Sequence, residues 1–240
     1  FAQTITPRRI ATEGPLLHLY NPQPTWESTV AAGQNHIVTL FNLGPRQGTS
    51  PGTQVGFSVA TLNGSTWSWT RDGVTGVPTG YFRAIYPQIA YDPVSGRFLL
   101  VCLLDESGGG TTGRPAFSSF DPGASPPQTP RWNPIKSNGE FVATGDKPWI
   151  AVGQTASGAT EVYVTYHQKS GGNIYYLRTA DGGANWKGGV AADDAYEGTG
   201  QPGLFATCAV SGTQPLFVAY RSNSGPIRFI RGDDQPDGTY

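Results

Sequence analysis

Thr179-Ala-Asp-Gly-Gly-Ala-Asn-Trp186, approached through the strand-like run Asn173-Ile-Tyr-Tyr-Leu-Arg178, reads as a hairpin turn that carries its own polar lock. An Asp two residues after a Thr can accept backbone N–H groups across its own turn. Two adjacent glycines supply positive-φ positions, and the closing Trp packs back onto the sheet. A turn of this kind is a stabilising device, and such devices recur in chains built from repeats.

Aligning the apolar segments Ser28-Thr-Val-Ala31, Pro87-Gln-Ile-Ala90, Pro148-Trp-Ile-Ala151 and Gly203-Leu-Phe-Ala206 places an alanine at steps of 59, 61 and 55 residues. That is a blade-sized period. Each segment is followed by a second apolar run: His36-Ile-Val-Thr-Leu-Phe41, Arg97-Phe-Leu-Leu-Val-Cys102, Glu161-Val-Tyr-Val-Thr-Tyr166 and Leu216-Phe-Val-Ala-Tyr220. Gly-bearing turns join the members of each pair, as antiparallel hairpins require. A third strand then leads to an aromatic stop at Trp67, Trp132, Trp186 and Tyr240.

Thr179, Asp181, Gly183 and Trp186 match the S/T-x-D-x-G-x-x-W pattern position by position, so the run resembles the Asp-box of sialidase-like (BNR-repeat) β-propellers. The other three stops are degenerate copies. Thr61-Leu-Asn-Gly-Ser-Thr-Trp67 is one residue short with Asn for Asp. Ser118-Ser-Phe-Asp-Pro122 reaches Trp132 through a Pro-rich insertion, and Arg231-Gly-Asp-Asp-Gln-Pro-Asp-Gly-Thr-Tyr240 lacks the leading hydroxyl. The expected fold is therefore all-β: a propeller of four-stranded antiparallel blades, with four repeats at about 27–86, 87–146, 147–200 and 201–240 in a single domain spanning 1–240. Sialidase-like enzymes use six blades, so four repeats imply either a ring completed by other blades or a partner chain, or a closed four-blade ring in which residues 1–26 supply the last outer strand. A β-sandwich is the remaining alternative.

Composition fits many short strands. The 33 Gly and 20 Pro accompany 37% hydrophobic and 12% aromatic residues, enough apolar side chain to build a core between turns. No run of 18 apolar residues and no sustained helical period occurs, so neither a membrane span nor a helical domain is expected. With 16 basic against 17 acidic residues, nothing attracts a polyphosphate, and nucleic acid is not an expected partner. Four Lys, no Met and abundant Thr, Ser, Gly and Asn suit a secreted, extracellular or cell-surface polypeptide. Phe1 is not an initiator residue, so a preceding segment is expected. Cys102 and Cys208 read as buried free thiols rather than a disulfide, and neither has a metal-ligand neighbour.

In a propeller the loops leading into first strands and those joining second to third strands gather at an axial mouth. The residues expected there as ligand-binding candidates are Glu27, Asp146, Lys147, His167 and Lys169. Asp193, Asp194 and Glu197 form an acidic run with the oxygen chemistry that suits Ca²⁺; no other cofactor is expected. The sialidase resemblance implies a mouth with three arginines for a substrate carboxylate, a Tyr–Glu nucleophile pair and an Asp acid/base. Its echoes here are Arg9 in Arg9-Ile10-Ala11, which lacks the family's Pro, then Arg83, Arg221, Asp105 and Glu106. Because these echoes are partial, binding is favoured over catalysis: a non-catalytic extracellular propeller recognising glycan or a protein partner. The alternatives are a partial or diverged sialidase-type glycoside hydrolase and an assembly module that pairs through open blade edges. Arg231-Gly232-Asp233 is an adhesion-type tripeptide inside the degenerate fourth box, and Asn63-Gly64-Ser65 is a glycosylation acceptor in an expected turn.

Overall fold

Strands with unbroken apolar sequence are buried on both faces. The clearest is Arg97-Phe-Leu-Leu-Val-Cys-Leu-Leu-Asp105, in which every residue from Phe98 on is buried. Such a run cannot be a half-solvated strand, where apolar and polar residues would alternate. Thr66-Trp-Ser-Trp-Thr-Arg-Asp-Gly-Val74 shows the opposite behaviour, none of it fully buried and its first half alternating in exposure, as an outer strand should.

The computed structural model describes residues 28–43, 54–108, 112–155, 157–168, 173–192, 207–209, 216–222 and 226–232. Strands β1 (Thr29–Ala32), β2 (His36–Leu43), β3 (Gln54–Asn63) and β4 (Thr66–Val74) form a first antiparallel sheet in chain order. A second holds β5 (Arg83–Asp92), β6 (Arg97–Asp105), β7 (Arg114–Phe120) and β8 (Asn133–Pro134). A small hairpin follows, of β9 (Lys136–Ser137) and β10 (Glu140–Phe141). The third four-stranded sheet is β11 (Asp146–Gln154), β12 (Thr160–Gln168), β13 (Asn173–Thr179) and β14 (Lys187–Ala192), again in chain order and antiparallel. Finally β15 (Thr207–Ala209), β16 (Leu216–Arg221) and β17 (Ile227–Gly232) form a three-stranded sheet. No helix occurs among the described residues, and none is long and apolar enough to cross a membrane.

The aligned alanines Ala31, Ala90 and Ala151 lie on first strands β1, β5 and β11; Ala206 is outside the described residues. Cys102 is buried and free on β6, and burial pushes its thiol well up.

Two compact units divide the chain: residues 1–109 with 118–133, and residues 110–117 with 134–240. In the first, β5 packs on β1, β2 and β3, and Phe57 meets Phe120 edge-on at 5.5 Å. Phe57 is 1% exposed; burying such a side chain contributes about 2–3 kcal/mol. In the second, β15 packs on β11 and β12 around Ala151, Tyr163, Ile174, Tyr176, Val218 and Tyr220. A buried polar set sits beside this core: Glu161 accepts the Tyr163 hydroxyl proton at 2.6 Å and pairs with the Arg178 guanidinium.

The Thr179–Trp186 turn joins β13 to β14, and its lock is formed by its own side chains. Thr179 Oγ1 donates to Asp181 Oδ1 at 2.7 Å and accepts from the Gly183 N–H at 3.2 Å. Asp181 accepts from the Asn185 N–H at 3.0 Å and from its amide at 2.8 Å. Gly182 and Gly183 take φ of 73° and 93°, the left-handed values that favour glycine. Trp186 is buried, donates to the Gly183 carbonyl at 3.1 Å and meets Phe117 edge-on at 5.3 Å. Some burial acts to raise the Asp181 carboxyl, but the bonds from Asn185, Thr179 and Ala184 outweigh it and hold it down at about 2.

The degenerate stops are fixed differently. Gly64 and Ser65 make a two-residue turn with Asn63 opposite Thr66, all four exposed. Ser118 Oγ accepts the Arg131 N–H at 3.2 Å, Asp121 accepts the Gly123 N–H at 2.9 Å, and buried Trp132 donates to Thr75 Oγ1 at 2.7 Å. Of the fourth stop, Arg231 and Gly232 lie on β17, and residues 233–240 are outside the described residues.

Candidate functional site

Both β5 and β11 carry a bulge near their first residues, set by the same dipeptide pattern. On β5 the register steps from Ile85↔Leu103 to Gln88↔Val101, so Tyr86 and Pro87 together oppose Cys102. On β11 it steps from Asp146↔His167 to Trp149↔Thr165, so Lys147 and Pro148 oppose Tyr166. Proline offers no N–H to a ladder and tolerates such a position. The residue before it has φ of 57° at Tyr86 and 50° at Lys147. Neither side chain suits that left-handed region, and a following Pro restricts the backbone further. Strain of this kind costs about 1–3 kcal/mol and is held only where the surroundings over-determine it; it clusters at functional sites.

At the β5 bulge the side chains close on each other. Arg83, opposite Asp105 in register, places Nε 2.6 Å from Asp105 Oδ2. The other carboxylate oxygen accepts the N–H and hydroxyl of Ser107, both at 2.8 Å. Asp105 is 1% exposed. Burial acts to raise its carboxyl, and the bonds from Ser107 and Arg83 reverse that and hold it below the usual range. A carboxylate with both oxygens engaged is a structural anchor in this state.

The β11 bulge is furnished with titratable and hydrogen-bonding groups. Asp146 and Lys147 are consecutive, and His167 stands opposite Asp146 across the ladder. Burial pulls the Lys147 ammonium down to about 8, close enough to neutrality for the amine to change charge at mildly alkaline pH. Trp149, two residues on, is 38% exposed. Tyr166 stacks on Tyr175 at 5.3 Å and 11°; burial, then Tyr175, pushes its hydroxyl well up. The strand end is brought close by glycine: Gly113 and Gly145 exchange both backbone hydrogen bonds at 2.9 Å. A Cβ on Gly145 would lie 2.3 Å from Tyr166 Cδ2 and 2.8 Å from the His167 carbonyl. That site therefore has a carboxylate, an amine, an imidazole and an exposed indole near one strand end.

Among the other residues singled out by sequence, Glu106 is exposed beside Asp105, and Arg221 ends β16. Arg9, Glu27, Lys169, Asp193, Asp194 and Glu197 lie outside the described residues. Among the described residues, no three His, Cys, Asp or Glu side chains are placed to hold a metal ion. Sequence reasoning missed Tyr86, Trp149 and the Tyr166–Tyr175 stack. The one available signal was the shared X-Pro dipeptide at Tyr86-Pro87 and Lys147-Pro148.

Neither a protein-family model nor a curated protein sequence matches the chain. Solved structures do match. The GH43_1 enzyme from Xanthomonas citri, complexed with xylose, aligns with a TM-score of 0.51 and 15% identity over 90% of this chain and 71% of its own. The Trypanosoma rangeli sialidase, in complex with sialic acid, aligns at 0.55 and 12% over 88% of this chain and 37% of its own. RS223-Beta-xylosidase aligns at 0.52 and 10% over 90% and 72%. The fold is that of the β-propeller glycosidases. The four-stranded sheets are accordingly blades, and among the described residues the first three stops lie where a third strand passes to a fourth, at β3–β4, β7–β8 and β13–β14. This chain spans little more than a third of the sialidase, so the likeness is one of fold.

Proposed function

We infer that this is an extracellular glycan-binding propeller that holds saccharide at the start of β11 without cleaving it. The observation that supports the reading most is the left-handed bulge at Lys147, a strained backbone next to Asp146, which stands opposite His167, in a blade that also exposes Trp149. Asp146 and His167 can accept from and donate to sugar hydroxyls, Lys147 donates, and an indole covers the apolar face of a pyranose ring. The fold neighbours act on, or are complexed with, sugars by their names. A hydrolase would need two carboxylic groups flanking one bond; Asp105 is already engaged by Arg83 and Ser107.

A diverged glycoside hydrolase is the second reading, favoured by the three titratable side chains Asp146, Lys147 and His167 at one strand end. One experiment separates the two. Calorimetric titration with xylo-oligosaccharides, arabino-oligosaccharides and sialosides is run beside an assay of released sugar. Binding without release, weakened by Asp146→Asn, is the expected result. Release that Asp146→Asn abolishes establishes the hydrolase, and neither binding nor release for any sugar refutes both.

A further inference from the structure

We propose that the β9–β10 hairpin carries a second binding surface, one for saccharides bearing an anionic group, built from Phe141, Arg114 and Lys136. The class of partner rests on the glycan reading above; the place and the charge selectivity do not.

Phe141 is 47% exposed, an unusual position for a large apolar ring on a two-residue strand. Two cations sit against it. The Arg114 guanidinium carbon is 5.0 Å from the ring centroid and Lys136 Nζ is 4.6 Å from it, both within cation–π range. Lys136 is directly opposite Phe141 in the hairpin register. Arg114 is further held by a 3.2 Å bond from Nη1 to the Val142 carbonyl. The hairpin turn is Asn138-Gly139, with φ of 52° and 83°, the sequence and geometry of a tight two-residue turn. Glu140 pairs with Ser137 and, by strand alternation, faces away from the ring.

One exposed ring thus gathers two positive charges on a short, hydrogen-bonded support. An anionic group complements those charges, and ring C–H edges suit the rim of a pyranose. The whole chain has a formal net charge of −1, so the selectivity is local to this patch and lacks the broad basic field that a nucleic acid needs. Carboxylate and sulfate groups share the chemistry that the patch recognises.

The test is titration of the intact chain with polygalacturonate, dextran sulfate and neutral dextran, for wild type, Lys136→Gln, Phe141→Leu and Lys147→Asn. Both anionic polymers should bind, or one of them, identifying which group is preferred, and dextran should not. Lys136→Gln and Phe141→Leu should each weaken binding about tenfold, the effect of losing one charge-assisted or ring contact, and rising salt should weaken it further. Lys147→Asn should leave this binding unchanged while reducing that of the neutral xylo- and arabino-oligosaccharides titrated for the β11 site, which separates the two surfaces. Dextran binding as tightly as the anionic polymers, full retention of binding in Lys136→Gln, or no binding to either anionic polymer would overturn the proposal. Lys136→Gln alters an exposed side chain, so the fold is preserved for that comparison.

Discussion

The starts of β5 and β11 share a backbone device and differ in what it carries. Each has an X-Pro bulge with a left-handed residue before the proline, opposed by one residue of the second strand. Beside Tyr86 the neighbouring charges are consumed: Arg83, Asp105 and Ser107 satisfy one another within the blade. Beside Lys147 there are an adjacent carboxylate, a facing imidazole and an amine that burial brings down to about 8. A bulge repeated between blades is a feature of the scaffold, and on the proposed reading the side chains placed on it decide whether a given copy stiffens the blade or meets a ligand.

The sharpest way to break this comparison is to remove one carboxylate from each copy. Asp105→Ala should lower stability by about 3 kcal/mol, because it strands a partly buried Arg83, whereas Asp146→Ala should lower it by less than about 1 kcal/mol and act on binding; urea unfolding of both variants checks this. Equal losses would make both copies structural. Gly145→Ala comes next, at roughly 2 kcal/mol, since its Cβ must displace Tyr166 and the His167 carbonyl. Thermal unfolding reads that loss.

Lys147→Asn sharpens the contrast in the opposite direction. Asn tolerates the left-handed region better than Lys, so stability should rise by about 0.5–1 kcal/mol while saccharide affinity falls, a stability–function exchange that a purely structural lysine would not give. The same residue has a pH signature. Its folded value is about 8 against an ordinary 10.5, so the unfolded chain holds more protons between them, and stability should increase as pH rises from about 8 to 10.5. Lys147→Asn should flatten that slope in denaturant titrations at several pH values.

The smallest effect belongs to the far end of the same blade. Asp181 is held down at about 2 against an ordinary 3.8, so its contribution is complete above about pH 4 and is lost as pH falls through about 2. Asp181→Asn should cost less than about 1 kcal/mol at neutral pH, given the exposed setting, and the difference from wild type should disappear near pH 2.

The turn and the bulges also show what a sequence can reveal. The Asp-box lock is local: Thr179, Asp181 and Asn185 bond within seven residues, so spacing alone exposes it. Unbroken apolar runs such as Phe98 to Leu104 likewise announce strands buried on both faces. The bulges resist such reading because Tyr86-Pro87 and Lys147-Pro148 look like strand breaks, and nothing in a Tyr or Lys signals positive φ. The Arg83–Asp105 pair joins residues 22 apart through strand register, which periodicity does not supply. Phe141 with its two cations lies on strands too short to carry any period at all.

The most direct test of the account is saccharide binding by wild type, Lys147→Asn and Tyr86→Asn, titrated side by side with circular dichroism confirming that each variant is folded. Lys147→Asn should bind about tenfold more weakly than wild type, and Tyr86→Asn should bind as wild type does. Equal affinity for wild type and Lys147→Asn, or an equal loss in both variants, would contradict the assignment of function to the β11 copy.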